Sequence, residues 1–264
     1  MSNRSDKAKR ILNCLPSRDT EDDWGVEDAL AAAVWEAPLA LPESVDLRED
    51  WWKIGDQGST GSCVGWATAD SVLRWHFVKA GRIAQDELLS VRFIWMAAKE
   101  TDEFITRPTS FIEGSGTSLK AALDVARRYG VVREPVLPFA PGALYRDTDK
   151  RFYATAAQLR ILSYFNLGRQ VDHWREWLAA QGPILTRLDV DSTWWGAKNT
   201  GGNLDVYHRP RLPAGHAVAL VGYTPDRFIV RNSWGAEDWG DAGFGYASIE
   251  YAQKAFSEAY GVTI

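Results

Sequence analysis

Residues Gln57–Cys63, with the sequence Gln-Gly-Ser-Thr-Gly-Ser-Cys, are the most informative part of this chain. Apolar residues recur at helical spacing from Val64 to Val78, and this spacing predicts a buried helix with Cys63 in its first turn. The unpaired backbone N–H groups and the positive end of the helix dipole would then lie near the sulfur. Both favour the thiolate, which is the reactive form of cysteine, so Cys63 is the candidate nucleophile.

Two downstream runs complete the pattern. The segment 215–221, Gly-His-Ala-Val-Ala-Leu-Val, is typical of a buried strand that begins near His216. A second apolar run, 228–231, ends at Asn232, and the turn residues Thr-Pro-Asp at 224–226 separate the two runs. We therefore predict a hairpin that brings His216 and Asn232 together as a base and the group that orients it.

These segments occur in an order that resembles the papain-like (C1) cysteine peptidases. The resemblance runs from about Leu41 to the C-terminus. It rests on Leu41–Arg48, Gln57–Cys63, Gly116–Ser118, Gly182-Pro183, Gly215–Val218 and Asn232–Gly235. The resemblance implies a disulfide-free, microbial-type member of that family. It also implies an α+β fold of two lobes, helical first and antiparallel sheet or barrel second, with the active-site cleft between them.

The order of predicted elements agrees with this fold class, since helices come first and strands later. Helices are predicted at 64–78, 90–98, 118–129 and 171–181, and strands at 184–190, 214–223, 227–231 and 244–251. We expect an N-terminal arm at 1–40 and a peptidase domain at 41–264. Within that domain we expect a helical lobe at about 41–160 and a β lobe at about 161–264.

The resemblance also implies roles for four residues. Cys63 would be the nucleophile, and His216 the general base that becomes an acid when the amine leaves. Asn232 would orient the imidazole. Gln57 would donate a side-chain N–H to the oxyanion beside the backbone N–H of Cys63.

Four further residues are expected to bind substrate. Gly116 is the candidate for backbone pairing with an extended peptide, because glycine permits close approach. Gly61 and Gly215 flank the nucleophile and the base, and Trp234 would cover the contact between the base and its orienting group.

The chain departs from the family pattern at several positions. Thr60 stands where secreted relatives usually have a cysteine, Val64 replaces an aromatic residue, and Gly215 replaces a residue that is often polar. Cys14 is the only possible disulfide partner of Cys63, and a bond between them would block the nucleophile. These features argue for a reducing compartment or a fold that needs no bridges.

Composition excludes several other classes of protein. The chain has 264 residues, of which 45% are hydrophobic and 25% charged, as in ordinary globular proteins. A net charge of −5 gives no reason to expect nucleic acid or an anionic membrane as partner. The other three histidines lack zinc-site spacing, so no metal or cofactor is predicted. The thirteen tryptophans favour packing over substrate contact.

The N-terminal residues bear on localisation and regulation. No apolar stretch of roughly 7–15 residues marks a signal peptide, and none of about 20 residues could span a bilayer, so we predict a cytoplasmic protein, with another export route left open. Residues 16–28 are acidic. Two hypotheses stand equally for residues 1–40: an autoinhibitory or docking arm anchored by Trp24 and Trp35, or a solvated tail with one packing strand.

The leading functional hypothesis is hydrolysis of peptide bonds in a peptide or protein substrate through a Cys63 thioester. The same acyl-enzyme could instead serve isopeptide cleavage, deamidation or acyl transfer. A peptide-binding module with a vestigial site is the alternative from another class. The loop 199–213 is expected to wall the cleft, but its sequence does not define a specificity.

Overall fold

A computed structural model describes residues 10–36, 38, 40–101, 113–144 and 148–264. The fold is α+β, with helices packed against one face of a mostly antiparallel sheet and further helices against the other. This architecture confirms the predicted fold class. None of the helices in the described ranges is long and apolar enough to cross a bilayer.

A long helical segment beginning at Cys63 runs through the middle of the molecule. It consists of α2 (Cys63–Gly65), a wider π-helical stretch (Trp66–Leu73) and α3 (Arg74–Lys79). Cys63 is its first residue, as predicted. A Cβ added at Gly65 would lie 2.7 Å from the Val91 carbonyl oxygen, so glycine lets a second helix approach the turn that carries Cys63.

The remaining helices are α1 (Val26–Ala31), α4 (Val91–Thr101), α5 (Leu119–Arg128), α6 (Asp149–Ala156), α7 (Val171–Ala180), α8 (Ser192–Gly196) and α9 (Ile249–Ala255). The predictions at 90–98, 118–129 and 171–181 match α4, α5 and α7. Ser118 caps α5 by accepting from the Ala121 amide at 3.3 Å, and Gly130 follows the helix with φ of 90°. The sequence therefore marked both ends of this helix.

The strands are β1 (Val45–Asp46), β2 (Ser163–Asn166), β3 (Ile184–Asp189), β4 (Asn203–Leu204), β5 (Gly215–Tyr223), β6 (Arg227–Arg231), β7 (Phe244–Ser248) and β8 (Phe256–Thr263). Seven lie in the order β2-β8-β3-β5-β6-β7-β4, and β1 pairs with β5. All pairings are antiparallel except β4 with β7. The pairing of β5 with β6 confirms the predicted hairpin.

One predicted strand ends earlier in the structure than in the prediction. The strand predicted at 244–251 stops at Ser248, and α9 begins directly after it. The Ser248 hydroxyl accepts from the Tyr251 amide at 3.0 Å, which starts a helix whose buried face includes Tyr251 and Ala252. Strand β8, which follows α9, was not predicted.

The core has two parts, one on each face of the sheet. Along β5, Ala217 and Ala219 belong to the cluster under the helical lobe, whereas Val218 and Leu220 belong to the cluster on the opposite face. Both faces of β5 are therefore buried, which accounts for its continuous apolar run. The base at its start is held by a strand that cannot shift without disturbing both clusters.

A buried ion pair joins the sheet to the central helical segment. Arg231 lies 2.8 Å from Asp70, and it donates to the Ser71 hydroxyl at 2.7 Å and to the Lys53 carbonyl at 2.6 Å. Its guanidinium also covers the Trp52 ring at 4.7 Å. Since Arg231 directly precedes Asn232, these contacts fix where the orienting group stands relative to Cys63.

Candidate active site

Cys63, His216 and Asn232 meet between the helical segment and the sheet, and all three are buried. His216 Nε2 lies 2.8 Å from Asn232 Oδ1. The other ring nitrogen, Nδ1, is buried and makes no hydrogen bond within the described residues, and His216 lies close enough to Cys63 to lower the pKa of its thiol. The structure thus brings together the three residues expected to be nucleophile, base and orienting group.

The surroundings of Cys63 favour its charged form. The neighbouring Cys14 side chain is the main influence that holds the pKa of the Cys63 thiol well below its usual range. His216 and the Ala217 backbone amide act in the same direction, while burial opposes them. These neighbours favour the reactive thiolate form of Cys63.

Gln57 lies beside these residues and is held on both sides of its amide. Its Nε2 donates to the Thr60 carbonyl at 3.1 Å, and its Oε1 accepts from the Ser233 hydroxyl at 3.0 Å. A primary amide has two N–H donors, so one remains for an oxygen near Cys63. The Thr60 hydroxyl donates to the Gln57 carbonyl at 2.7 Å, which braces the loop between these two residues.

Tryptophans surround the base. Trp234 lies over His216 with ring centroids 4.9 Å apart, and Trp194 meets the same ring edge-on at 5.8 Å. Trp195 stacks on Trp234 at 5.1 Å, and Trp239 packs on Trp194 at 4.5 Å. Trp234 therefore lies where it was expected. Trp194 also contacts the base, and no motif in the sequence singles it out.

The three glycines expected to bind substrate instead face the chain's own N-terminal segment. A Cβ on Gly215 would overlap the Cys14 carbonyl, and one on Gly116 would overlap the Asn13 carbonyl. Gly61 also lies against the Asn13 side chain. We call residues 10–17 the cleft segment, because they occupy the channel that these glycines line.

The cleft segment is held by backbone pairing. The Cys14 amide donates to the Gly215 carbonyl at 2.9 Å, and the Leu15 amide donates to the Thr117 carbonyl at 3.0 Å. The buried Arg187 donates to the Cys14 carbonyl at 3.1 Å. These are contacts an extended peptide would make, and neither Arg187 nor the position of Cys14 was predicted.

Arg10 holds the other end of the cleft segment. Its guanidinium donates to the Trp234 carbonyl at 3.0 Å and to the Gly58 carbonyl at 3.2 Å, and it pairs with the Asp56 carboxylate. The segment therefore passes from the tryptophans beside His216, across Cys63, to the start of α5. The described part of residues 1–40 is not a solvated tail, because it packs against both lobes.

Residues 24–36, which we call the anchor segment, lie outside the cleft. Trp35 is 2% exposed and packs on Trp177 at 5.8 Å, whereas Trp24 is 53% exposed. The Asn166 amide donates to the Trp24 carbonyl at 2.8 Å. Of the two predicted anchors, Trp35 is thus the buried one.

The fold and the residues of the site together indicate the family to which the chain belongs. The family model described as "Papain family cysteine protease" matches residues 41–261, and the chain belongs to that family. No group of three His, Cys, Asp or Glu side chains that could hold a metal occurs within the described ranges.

Individual curated relatives share about a quarter of their aligned residues with this chain. Mouse (Mus musculus) cathepsin J is 26% identical over 219 residues, which cover 78% of this chain and 60% of the cathepsin. A cysteine protease of Blomia tropicalis is 27% identical over 224 residues, which cover 78% of this chain and 61% of that protease. The chain thus spans about three fifths of the length of these curated relatives.

Solved structures show the same fold. Xylellain, a cysteine protease from Xylella fastidiosa, has a TM-score of 0.76 at 22% identity, with 98% of each chain covered. Digestive procathepsin L2 proteinase from Tenebrio molitor larval midgut has a TM-score of 0.72 at 20% identity, with 100% of this chain and 81% of that chain covered. At these identities the likeness concerns the fold.

Proposed function

We propose that this protein is a cysteine peptidase whose cleft segment keeps it latent. The observation that carries the proposal is the arrangement of Cys63, His216 and Asn232 in a channel that an extended stretch of the same chain fills. Family membership supports the chemistry. The filled channel supports latency.

Catalysis begins with attack of the Cys63 thiolate on the carbonyl carbon of the scissile peptide bond. The oxyanion that forms accepts hydrogen bonds from the Cys63 backbone amide and from Gln57 Nε2. His216 Nδ1 gives its proton to the leaving amine and later takes one from water, which hydrolyses the thioester. Asn232 keeps the imidazole facing the sulfur through the contact with Nε2.

Latency follows from competition for the same groups. An extended substrate needs the carbonyl of Gly215 and the open space over Gly116, and the cleft segment holds both. A peptide carbonyl can reach Cys63 only after residues 10–15 leave. Peptidase activity therefore requires displacement or removal of the cleft segment.

The test is covalent labelling of Cys63 by an epoxide that alkylates activated thiols, read by mass spectrometry. Full-length protein and a variant lacking residues 1–15 are compared, each with and without His216→Ala. We expect His216-dependent labelling that is faster in the truncated variant, together with hydrolysis of a denatured protein substrate. Labelling of Cys63 in the truncated variant that is no faster than in full-length protein and does not depend on His216, with no hydrolysis, would contradict the proposal.

Product analysis separates hydrolysis from the alternative reactions. Water as acceptor yields a new carboxylate and a new amine from each peptide bond cut, whereas transfer to an amine yields a joined product. We expect only the hydrolysis products.

A further inference from the structure

We propose that Cys14 and Cys63 form a site of reversible oxidation, at which a hydroperoxide converts the two thiols into a disulfide that fastens the cleft segment over the nucleophile. The proposal rests on the proposed function, because it turns the latent state into one that oxidation locks. Both cysteines are free and buried in the structure.

Cys14 is placed at Cys63 by contacts on both sides of its backbone. Its amide donates to the Gly215 carbonyl at 2.9 Å, and its carbonyl accepts from Arg187 at 3.1 Å. Its side chain is 2% exposed, its thiol donates to the Leu15 carbonyl at 3.8 Å, and it lies in the same buried cluster as Cys63. The two thiols are close enough for each to shift the pKa of the other.

The neighbouring residues prevent Cys14 from sliding away while the segment is seated. Gly215 lies directly under the Cys14 carbonyl, and Gly116 lies under the Asn13 carbonyl, so that a methyl group at either position would overlap the segment. The Asn13 side chain also donates to the Gly114 carbonyl. The position of the cleft segment along the channel is thus fixed at Asn13 and at Cys14.

The protonation states suit oxidation at one sulfur and attack by the other. The neighbouring Cys14 side chain and His216 lower the pKa of Cys63. Burial raises the pKa of Cys14, and its proximity to Cys63 raises it further. Cys63 is therefore the more acidic of the two thiols, and a hydroperoxide oxidises its sulfur first.

The reaction balances in two steps. The Cys63 thiolate attacks the terminal oxygen of the hydroperoxide, the O–O bond breaks, and Cys63 becomes a sulfenic acid. The hydroxide or alkoxide that leaves takes a proton from the His216 imidazolium and departs as water or an alcohol. The Cys14 sulfur then attacks the Cys63 sulfur, the S–O bond breaks, and hydroxide leaves with the Cys14 proton as water. Two thiols are oxidised and one hydroperoxide is reduced.

The disulfide would protect the nucleophile as well as block it. Without a neighbouring thiol, sulfenic acid is oxidised further to sulfinic and sulfonic acids, which dithiothreitol does not reverse. With Cys14 in contact, the disulfide forms instead, and thiol exchange restores both residues.

The experiment treats full-length wild type and Cys14→Ser with hydrogen peroxide and follows intact mass and peptide maps without reductant. Wild type should lose two hydrogen atoms, yield a linked Cys14–Cys63 peptide, and recover epoxide labelling of Cys63 after dithiothreitol. Cys14→Ser keeps a hydroxyl donor of similar size, so it should gain oxygen atoms on Cys63 and stay unreactive after dithiothreitol.

Wild type that gains oxygen atoms as Cys14→Ser does, with no linked peptide, would overturn the proposal. A disulfide between two protein molecules, seen as a dimer on a non-reducing gel, would overturn it as well. Hydrolysis by the variant lacking residues 1–15 is measured separately, since that variant has no Cys14. Its activity tests the peptidase alone, and the linked peptide tests the oxidation site alone.

Discussion

The cleft segment and the anchor segment belong to the same stretch of chain, but they are held in different ways. Residues 10–17 are fixed mainly by backbone hydrogen bonds and by the guanidinium of Arg10. Residues 24–36 form α1 and bury Trp35 against the sheet lobe. The first kind of contact can be exchanged for a substrate or for water, and the second is part of the core.

This difference matters for how the arm is divided. Removing residues 1–40 as one unit would empty the cleft and also expose the apolar surface around Trp177 that Trp35 covers. Loss of activity after such a deletion would then report unfolding. A cut before residue 16 separates the two effects.

The largest expected effect is on stability, at the anchor segment. Trp35→Ala leaves a cavity beside Trp177 and should lower the free energy of unfolding by about 3–5 kcal/mol, the usual cost of truncating a buried tryptophan. Chemical denaturation measures it. Trp24→Ala is the matched control and should cost less than about 1 kcal/mol, since that ring is half exposed. Equal losses from the two variants would show that the buried Trp35 holds the anchor segment no more strongly than the exposed Trp24 does.

The next effect is on access to Cys63. Deletion of residues 1–15 removes the three hydrogen bonds made by Cys14 and Leu15. At about 1 kcal/mol each, these bonds hold the segment by about 3 kcal/mol, and the contacts of Arg10 are lost with them, so epoxide labelling should accelerate at least roughly 10²-fold. The control is thermal unfolding of the same variant, in which a cooperative transition shows that the domain remains folded without the segment. An unchanged labelling rate would mean that the cleft segment does not limit access.

A smaller effect is expected from Arg10→Ala, which loosens one end of the cleft segment. Its hydrogen bonds to the Trp234 and Gly58 carbonyls are lost, and labelling of Cys63 should rise by about tenfold, the equivalent of one charge-assisted hydrogen bond. Arg169→Ala, which removes a surface arginine bonded to the Gln253 carbonyl, should leave the rate unchanged. Similar acceleration in both variants would point to a general charge effect.

The smallest expected effect is on the pH dependence of labelling. The neighbouring Cys14 side chain lowers the pKa of Cys63, so Cys14→Ala should move the acid limb of the labelling profile to higher pH. Cys14→Ser retains a donor and should move it less. At alkaline pH, where Cys63 is fully ionised in every variant, the difference in labelling rate should vanish. If wild type and Cys14→Ala have the same profile, Cys14 does not lower the pKa of Cys63.

The same lowered pKa has a consequence for stability. A thiolate favoured in the folded state contributes stability above the pKa that cysteine has in the unfolded chain. That contribution is lost as the pH falls toward the lowered folded-state pKa. Wild type should therefore lose more stability than Cys63→Ala between alkaline and acid pH, which denaturation at several pH values measures.

The sequence predicted those parts of the fold where local pattern and tertiary contact agree. β5 and β6 were found because both strands are apolar and a Thr-Pro-Asp turn separates them, and the position of Cys63 was found from the helix behind it. The helix α9 was missed, because Tyr251, Ala252 and Ala255 fit a buried strand or a helix equally well until Ser248 caps the latter.

Site residues were predicted where they belong to a local sequence motif. They were missed where only tertiary contacts bring them to the site. Cys63, His216, Asn232 and Gln57 lie in recognisable local contexts. Cys14 lies in an irregular segment with no periodicity, and Arg187 on a strand looks like any other charged residue. Their approach to Cys63 depends on contacts between positions more than a hundred residues apart, which no local pattern encodes.

The continuity of the chain between the cleft and anchor segments sets the effective concentration of the inhibitor. While residues 17–24 remain intact, a departed cleft segment stays tethered near its site and returns in a step that protein dilution does not affect. A single cut in this acidic stretch converts the segment into a separate peptide, held only by its own affinity. Dilution then favours the open channel, so one cleavage in the tether would make activation irreversible.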